Sequence, residues 1–278
     1  MSKVAVVAGV GPGLGASLVR KFAAEGCHVG MLARSEESLA AIADGIKSET
    51  TIRGIPTDIS DPSSVKEAFQ TIASELGPVD ILINHASSAS WKGIVDSTPE
   101  EFESAWRVTV YGALLCSQEV IPGMIDAGSG TILFTGATSS VRGREGSVGF
   151  SSAKFGSRGL ADAMARELWP KGIHVAHIVV DGIIDTPSAR ERFQPTDEDP
   201  LLLPDAMAES YWHLIEQDRS SWTFELDLRP HGEAFFEYSA NSITCSLWRF
   251  AECSSSEDVR AIQASAALSE LTRFRPFQ

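Results

Sequence analysis

Val4-Ala5-Val6-Val7-Ala8-Gly9-Val10-Gly11-Pro12-Gly13-Leu14-Gly15-Ala16 is the stretch on which the fold turns. The β-branched Val4, Val6 and Val7 predict a strand, and Leu14, Leu18, Val19 and Phe22 recur at helical spacing after it. Between them Gly9, Gly11, Gly13 and Gly15 predict a tight turn. Glycines there let the backbone approach a pyrophosphate, and the helix N-terminus beyond offers unpaired N–H groups and a positive dipole end. The stretch therefore predicts a dinucleotide cradle made by Gly9, Gly11, Gly13, Leu14 and Gly15; a strand-to-helix turn with no ligand is the plainer alternative.

The rest of the chain suits one large α/β domain. Its 278 residues are 43% hydrophobic, enough for a full core. A net charge of −14 with no local basic patch argues against a nucleic-acid partner. Cys27, Cys116, Cys245 and Cys253 are scattered without a Cys-x-x-Cys pair, which predicts neither a metal site nor a disulfide framework and suits a reducing, cytoplasmic setting. The first strand begins too early for a signal peptide, and no apolar run approaches a membrane span in length, so no membrane is expected.

Further strands are predicted at 28–33, 51–57, 79–84, 131–135 and 173–180, with helical periodicity between them. Asp61-Pro62 reads as a cap and first helical position, and Thr98-Pro99-Glu100-Glu101 as a capping box. The latter opens one long helix presenting Phe102, Trp106, Val110, Leu114 and Ile121. A second long helix runs from Phe150 to Leu168. The alternation predicts a Rossmann-like, doubly wound parallel sheet of order 3-2-1-4-5-6-7 with helices on both faces. Ligands in such sheets bind at the carboxyl ends of the strands, so the loops at 9–15, 34, 58, 84–90, 135–145 and 181–190 should converge on one site.

Three positions refine the cradle. Arg34 stands at the end of strand two, where an acidic residue would hold a ribose 2′-hydroxyl, and a guanidinium there favours the 2′-phosphate of NADP. Asp58 follows strand three; it suits an adenine amino group or its own loop backbone. The polar, proline-bearing stretch from Thr186 to Pro204 suits a mobile loop over the site or a passive surface connection.

These residues resemble the short-chain dehydrogenase/reductase family over roughly positions 3–230, leaving 231–278 as a tail. Gly9-x-x-x-Gly13-x-Gly15 has that family's glycine spacing, and Asn84-His85-Ala86-Ser87 is similar to its Asn-Asn-Ala-Gly turn. The resemblance implies NADP contacts from Gly9, Gly13, Gly15, Asp58, Asn84, Ala86, Lys154 and Thr186, and a homodimer or homotetramer built through the two long helices. Asp181-Gly182 replaces a usual Pro-Gly. The family's Tyr-x-x-x-Lys pair reads here as Phe150-Ser-Ser-Ala-Lys154, its serine falls on Ala137, and its helix asparagine falls on Thr109. Phe134 to Thr138, Ala165 to Leu168, Gly172 to His177 and Asp218 to Pro230 resemble a divergent subgroup that lacks the tyrosine and asparagine. The last of these runs reads as the closing edge strand.

Lys154 alone therefore remains of the expected catalytic set, with Phe150 marking the position of the missing hydroxyl. A positioned acid contributes about 10² to 10⁴ in rate, so another group must supply the proton. Thr138 is one candidate; Ser139, Tyr111, Arg142, Arg144, Glu145, Asp181 and, if desolvation lowers its pKa, Lys154 itself are others. The expected function is an NADP-dependent oxidoreductase acting on a carbonyl or hydroxyl of an apolar small molecule. The alternatives are a non-redox isomerase or cyclase and a non-catalytic NADP-binding protein. Trp91, Phe193, Tyr211 and Trp212 suggest an apolar ligand or simply core. In the tail, Ser254 to Glu257 could cap a helix through Val259, Ile262, Ala266 and Leu268; packing, oligomer contact and disorder all stay open for it.

Overall fold

The computed structural model describes residues 2–196 and 199–232. The tail helix expected after Ser254 lies outside them. Seven parallel strands form the central sheet: β1 (Val4–Ala8), β2 (His28–Ala33), β3 (Ile52–Pro56), β4 (Ile81–Asn84), β5 (Gly130–Thr135), β6 (Ile173–Val180) and β9 (Glu225–Leu228), in the order 3-2-1-4-5-6-9. This is the expected doubly wound order. The two intervening strands, β7 (Ile183–Ile184) and β8 (Leu201–Leu202), pair only with each other in a separate parallel ribbon.

The sheet is covered on both faces, so its central strands read as apolar runs rather than alternations. Within β1 the alternation is between two cores. Ala5 and Val7 join one with Leu18, Phe22, Ile83 and Tyr211, while Val4, Val6 and Ala8 join the other with Phe69, Ile72, Cys116 and Phe134. On the first face lie α1 (Leu14–Ala24), α2 (Glu36–Asp44) and α8 (Pro204–Glu216), and on the second α3 (Pro62–Glu75), α5 (Gly112–Ala127) and α6 (Val148–Leu168). Asp61 caps α3 with its carboxylate on the Ser63 and Ser64 amides, ahead of Pro62. Thr98 and Glu101 form both halves of a capping box on α4 (Pro99–Trp106).

The long helix expected from Thr98 is interrupted. Between α4 and α5 the five residues Arg107–Tyr111 form a π turn, an element that recurs at functional sites. The turn rotates the buried stripe. Ala105, Thr109, Val110, Ala113, Cys116, Val120 and Met124 point inward, whereas Phe102 and Trp106 are 39% and 42% exposed. The expected apolar face therefore was not the core face at its amino end. The helical run Pro99–Ala127 is also long and apolar enough, by length and composition, to cross a membrane, correcting the expectation that no run approaches that length. Its most apolar window is 44% buried inside the fold, where α5 packs on β4 and β5.

The Thr186–Pro204 stretch is not simply loop. Thr186 caps the short helix α7 (Pro187–Phe193), accepting from the Ala189 amide at 3.1 Å, and β8 follows. Tyr211 and Trp212 lie on α8: Tyr211 is fully buried and Trp212 packs its ring on Phe22 at 5.6 Å. Both belong to the core rather than to a ligand-facing loop.

Candidate active site

The turn between β1 and α1 is shaped by close approach. Gly9 has φ +103°, and a Cβ on it would lie 2.4 Å from the Ala86 Cα. Only glycine allows both that conformation and that contact. The amide of Ala86 in turn donates to the Ala8 carbonyl at 2.7 Å, seating the Asn84–Ala86 turn beside the glycines. A Cβ on Gly15 would sit 3.0 Å from the Val10 Cα, while Gly11 has open space around it. The first turn of α1 carries no acidic residue and no side-chain cap. The Ala16 amide donates to the Gly11 carbonyl at 2.9 Å, so the Leu14 and Gly15 amides and the helix dipole are what remain for an anion. Thr186 closes the far side, its Cγ2 standing where a Cβ on Gly13 would come within 2.4 Å.

Arg34 is exposed directly after β2, next to Ser35, the cap of α2. Asp58 is exposed, and its Oδ1 accepts from the Ser60 amide at 2.9 Å and the Ser60 hydroxyl at 2.7 Å. Half of that carboxylate thus serves its own loop. Asn84 is buried at the end of β4; its Nδ2 donates to Ser117 Oγ at 3.2 Å, but its Oδ1 has no protein partner. A buried acceptor without a donor is costly.

Lys154 lies 3% exposed on α6, and its Nζ donates to the Thr135 carbonyl at 2.8 Å. An ammonium has three N–H donors, and no second acceptor meets it among the described residues. Burial pushes its pKa down to about 8. Phe150, one turn earlier, places its ring centroid 5.6 Å from that Nζ and 4.9 Å from the Trp91 ring. Arg144 and Arg192 lie over the same Trp91 at 5.7 and 5.3 Å. Phe150 thus forms the inner side of an aromatic layer with Trp91 of the 87–97 loop. Thr109 is buried in the π turn, with its Oγ1 3.4 Å from the Ser88 amide.

Two networks around Lys154 were not foreseen from the residues. His85 Nδ1 lies 3.1 Å from Thr135 Oγ1, which lies 2.9 Å from the Tyr211 hydroxyl. Burial and the nearby Lys154 charge push His85 down to about 4, and burial raises the Tyr211 phenol. On the other side, His177 on β6 and Arg158 on α6 share the Glu225 carboxylate, at 3.2 and 2.5 Å. Their signal is tertiary, since 67 positions separate Arg158 from Glu225.

Thr138 opens the short 3-10 turn after β5 and donates to Asp181 Oδ1, so two of the candidate proton carriers meet. Ser140 is fully buried and accepts from the Ala137 amide at 3.0 Å, a structural role. A separate hollow of about 380 Å³, lined by Trp169, Lys171, Arg219 and Trp222, lies near the amino end of β6. That is the opposite end of the sheet from the groups above.

The open helix terminus, the unpartnered Asn84 Oδ1 and the spare donors of Lys154 all face a demand that a dinucleotide would meet. The model of the short chain dehydrogenase family matches residues 3–197. The chain belongs to that family. An uncharacterized oxidoreductase of Staphylococcus aureus (strain USA300) is 28% identical over 228 residues, covering 82% of this chain and 97% of its own length. A short-chain dehydrogenase from Rhodopseudomonas palustris superposes with a TM-score of 0.70 at 33% identity, over 82% of this chain and 99% of that one. An alcohol dehydrogenase from Thermococcus sibiricus, solved with 5-hydroxy-NADP, reaches a TM-score of 0.75 at 23% identity over 86% and 100% of the two chains. Membership makes this short-chain dehydrogenase an oxidoreductase in type; cofactor preference, substrate and proton donor are matters for its own residues.

Proposed function

We propose that the protein is an NADP-dependent oxidoreductase acting on a carbonyl or hydroxyl of an apolar small molecule, through a site that works without the family's tyrosine. The observation that carries this reading is the buried ammonium of Lys154. Desolvating a cation is costly, and this one is held at the carboxyl ends of β4 and β5 with donors to spare, in line with the glycine turn. A bound nicotinamide would supply the hydride chemistry. Lys154 and Asn84 would hold its ribose side, the first turn of α1 its pyrophosphate, and Arg34 a 2′-phosphate.

The Trp91 and Phe150 rings, in contact beside Lys154, support an apolar substrate. Phe102 and Trp106 on α4 and Phe155 on α6 are large, apolar and exposed. They support a homo-oligomer joined through these helices. Cys27 and Cys116, buried and free, suit a reducing, cytoplasmic compartment.

Two measurements test the proposal. Nicotinamide fluorescence should report NADPH binding at least tenfold tighter than NADH, and NADPH should be consumed with an apolar ketone. Failure to bind either dinucleotide overturns the cofactor assignment, and binding without turnover across a broad carbonyl and alcohol panel overturns the redox assignment.

A further inference from the structure

Asp181 directly follows β6 as a carboxylate only 5% exposed, its amide tied to the Leu228 carbonyl at 2.8 Å. Both of its oxygens are engaged. Oδ1 accepts from the Thr138 hydroxyl, and Oδ2 lies 3.0 Å from Arg229 Nη1, an ion pair without hydrogen-bond angles. Arg229 follows β9 and also pairs with Asp227. An ionised carboxylate accepts and never donates, so the proton between Thr138 and Asp181 belongs to the threonine. Its single O–H is thereby used, and its lone pairs are left to accept.

The location is as telling as the polarity. Thr138 is half-buried, three residues beyond the carbonyl that receives Lys154 Nζ, and its turn packs on α6, which carries Phe150 and Lys154. From these observations we infer that Thr138 accepts the proton of a substrate hydroxyl, with Asp181 as the base behind it and Arg229 as the residue that positions Asp181. The inference rests on the proposed function and deepens it: the site is polarised toward an alcohol as the ligand it binds and oxidises. As the substrate O–H breaks, its proton passes to Thr138 Oγ1 while Thr138's own proton moves to Asp181 Oδ1. A bound oxidised nicotinamide would take the hydride from the carbinol carbon as the C=O bond forms, and Asp181 would return its proton to water.

The test compares the full chain with D181N, T138V and T138S, using NADP⁺ and a panel of alicyclic and benzylic secondary alcohols. D181N and T138V should each lower kcat about a hundredfold or more, and T138S should recover most of that loss. NADPH affinity should stay unchanged in all three, and a native circular-dichroism spectrum at the assay temperature separates the effect from misfolding, because D181N also breaks the buried pair with Arg229 and lowers the thermal midpoint. A readout independent of steady-state turnover is the infrared difference spectrum on mixing the NADP⁺ form with alcohol, where a protonated-carboxyl band should appear and be missing in D181N. Turnover at the wild-type rate in D181N and T138V, or the same band in D181N, overturns the inference alone. A wild-type chain that binds NADPH but reacts with no alcohol and no ketone overturns it together with the functional proposal.

Discussion

The two crossovers that flank the site, β1 to α1 and β5 to α6, leave the sheet at the same end and have fared differently. In the first, every feature is one of main chain: a positive φ at Gly9, a contact with Ala86 that excludes a Cβ, and an uncapped helix terminus. In the second, the features are side-chain groups: Ala137 and Phe150 stand where the resemblance implies a serine and a tyrosine, while Lys154 stays. Backbone geometry has no substitute when a glycine is lost. A side-chain group can come from any element that reaches the same place, and Thr138 meets Asp181 from the end of another strand.

Breaking the first crossover should have the largest effect. Gly9→Ala must abandon a φ of +103° and push against the Ala86 backbone, so it should destabilise the fold by ~3 kcal/mol or more. Urea unfolding with loss of NADPH binding would show it; an unchanged midpoint would mean that the turn is not rigid.

Lys154→Met probes the second crossover. Turnover should fall about 10²-fold or more through loss of a preorganised charge. Stability carries a second signature. The native pKa of about 8 lies below the ordinary 10.5, so the unfolded chain binds the proton more tightly and stability rises as pH climbs through that interval. The rise amounts to about 3 kcal/mol at 1.36 kcal/mol per unit, and it should be missing from denaturation curves of the variant.

Arg34→Ala sharpens the comparison from the cofactor side. It should weaken NADPH binding about tenfold, the loss of one charge-assisted hydrogen bond, and leave NADH binding unchanged in the same fluorescence titration. The smallest effect on the fold belongs to Gly11→Ala, which meets nothing within 4 Å. Its stability should stay within about 0.5 kcal/mol of the parent, whereas dinucleotide affinity should drop because the methyl enters the open side of the turn. Comparing Gly9 with Gly11 in this way separates a glycine needed for packing from one needed for a ligand.

Much of the fold was legible because it depends on local pattern. Valine runs, glycine turns, Asp61-Pro62 and the Thr98–Glu101 box each encode an element within a few residues, and strand order followed from their alternation. The misread parts were those in which a partner decides. The stripe of α4 was taken from periodicity alone, and the π turn at Arg107–Tyr111 rotated it. Tyr211 could face a ligand or belong to the core, and α8 puts it in the core with its hydroxyl 2.9 Å from Thr135 Oγ1. Asp58 could serve adenine or its own loop, and the Ser60 contacts show the loop holding one of its oxygens.

By itself the sequence determined the doubly wound sheet, the glycine turn between β1 and α1 and the phenylalanine four residues before Lys154, because each is written in nearby residues whose backbone or side-chain chemistry is local. Only the tertiary structure decided what surrounds Lys154. Phe150 lies against Trp91, Asp181 meets Thr138 across 43 positions, and Glu225 joins Arg158 to His177. Burial and long-range contact set the charge and direction of those groups, and neither quantity is carried by neighbours in the chain.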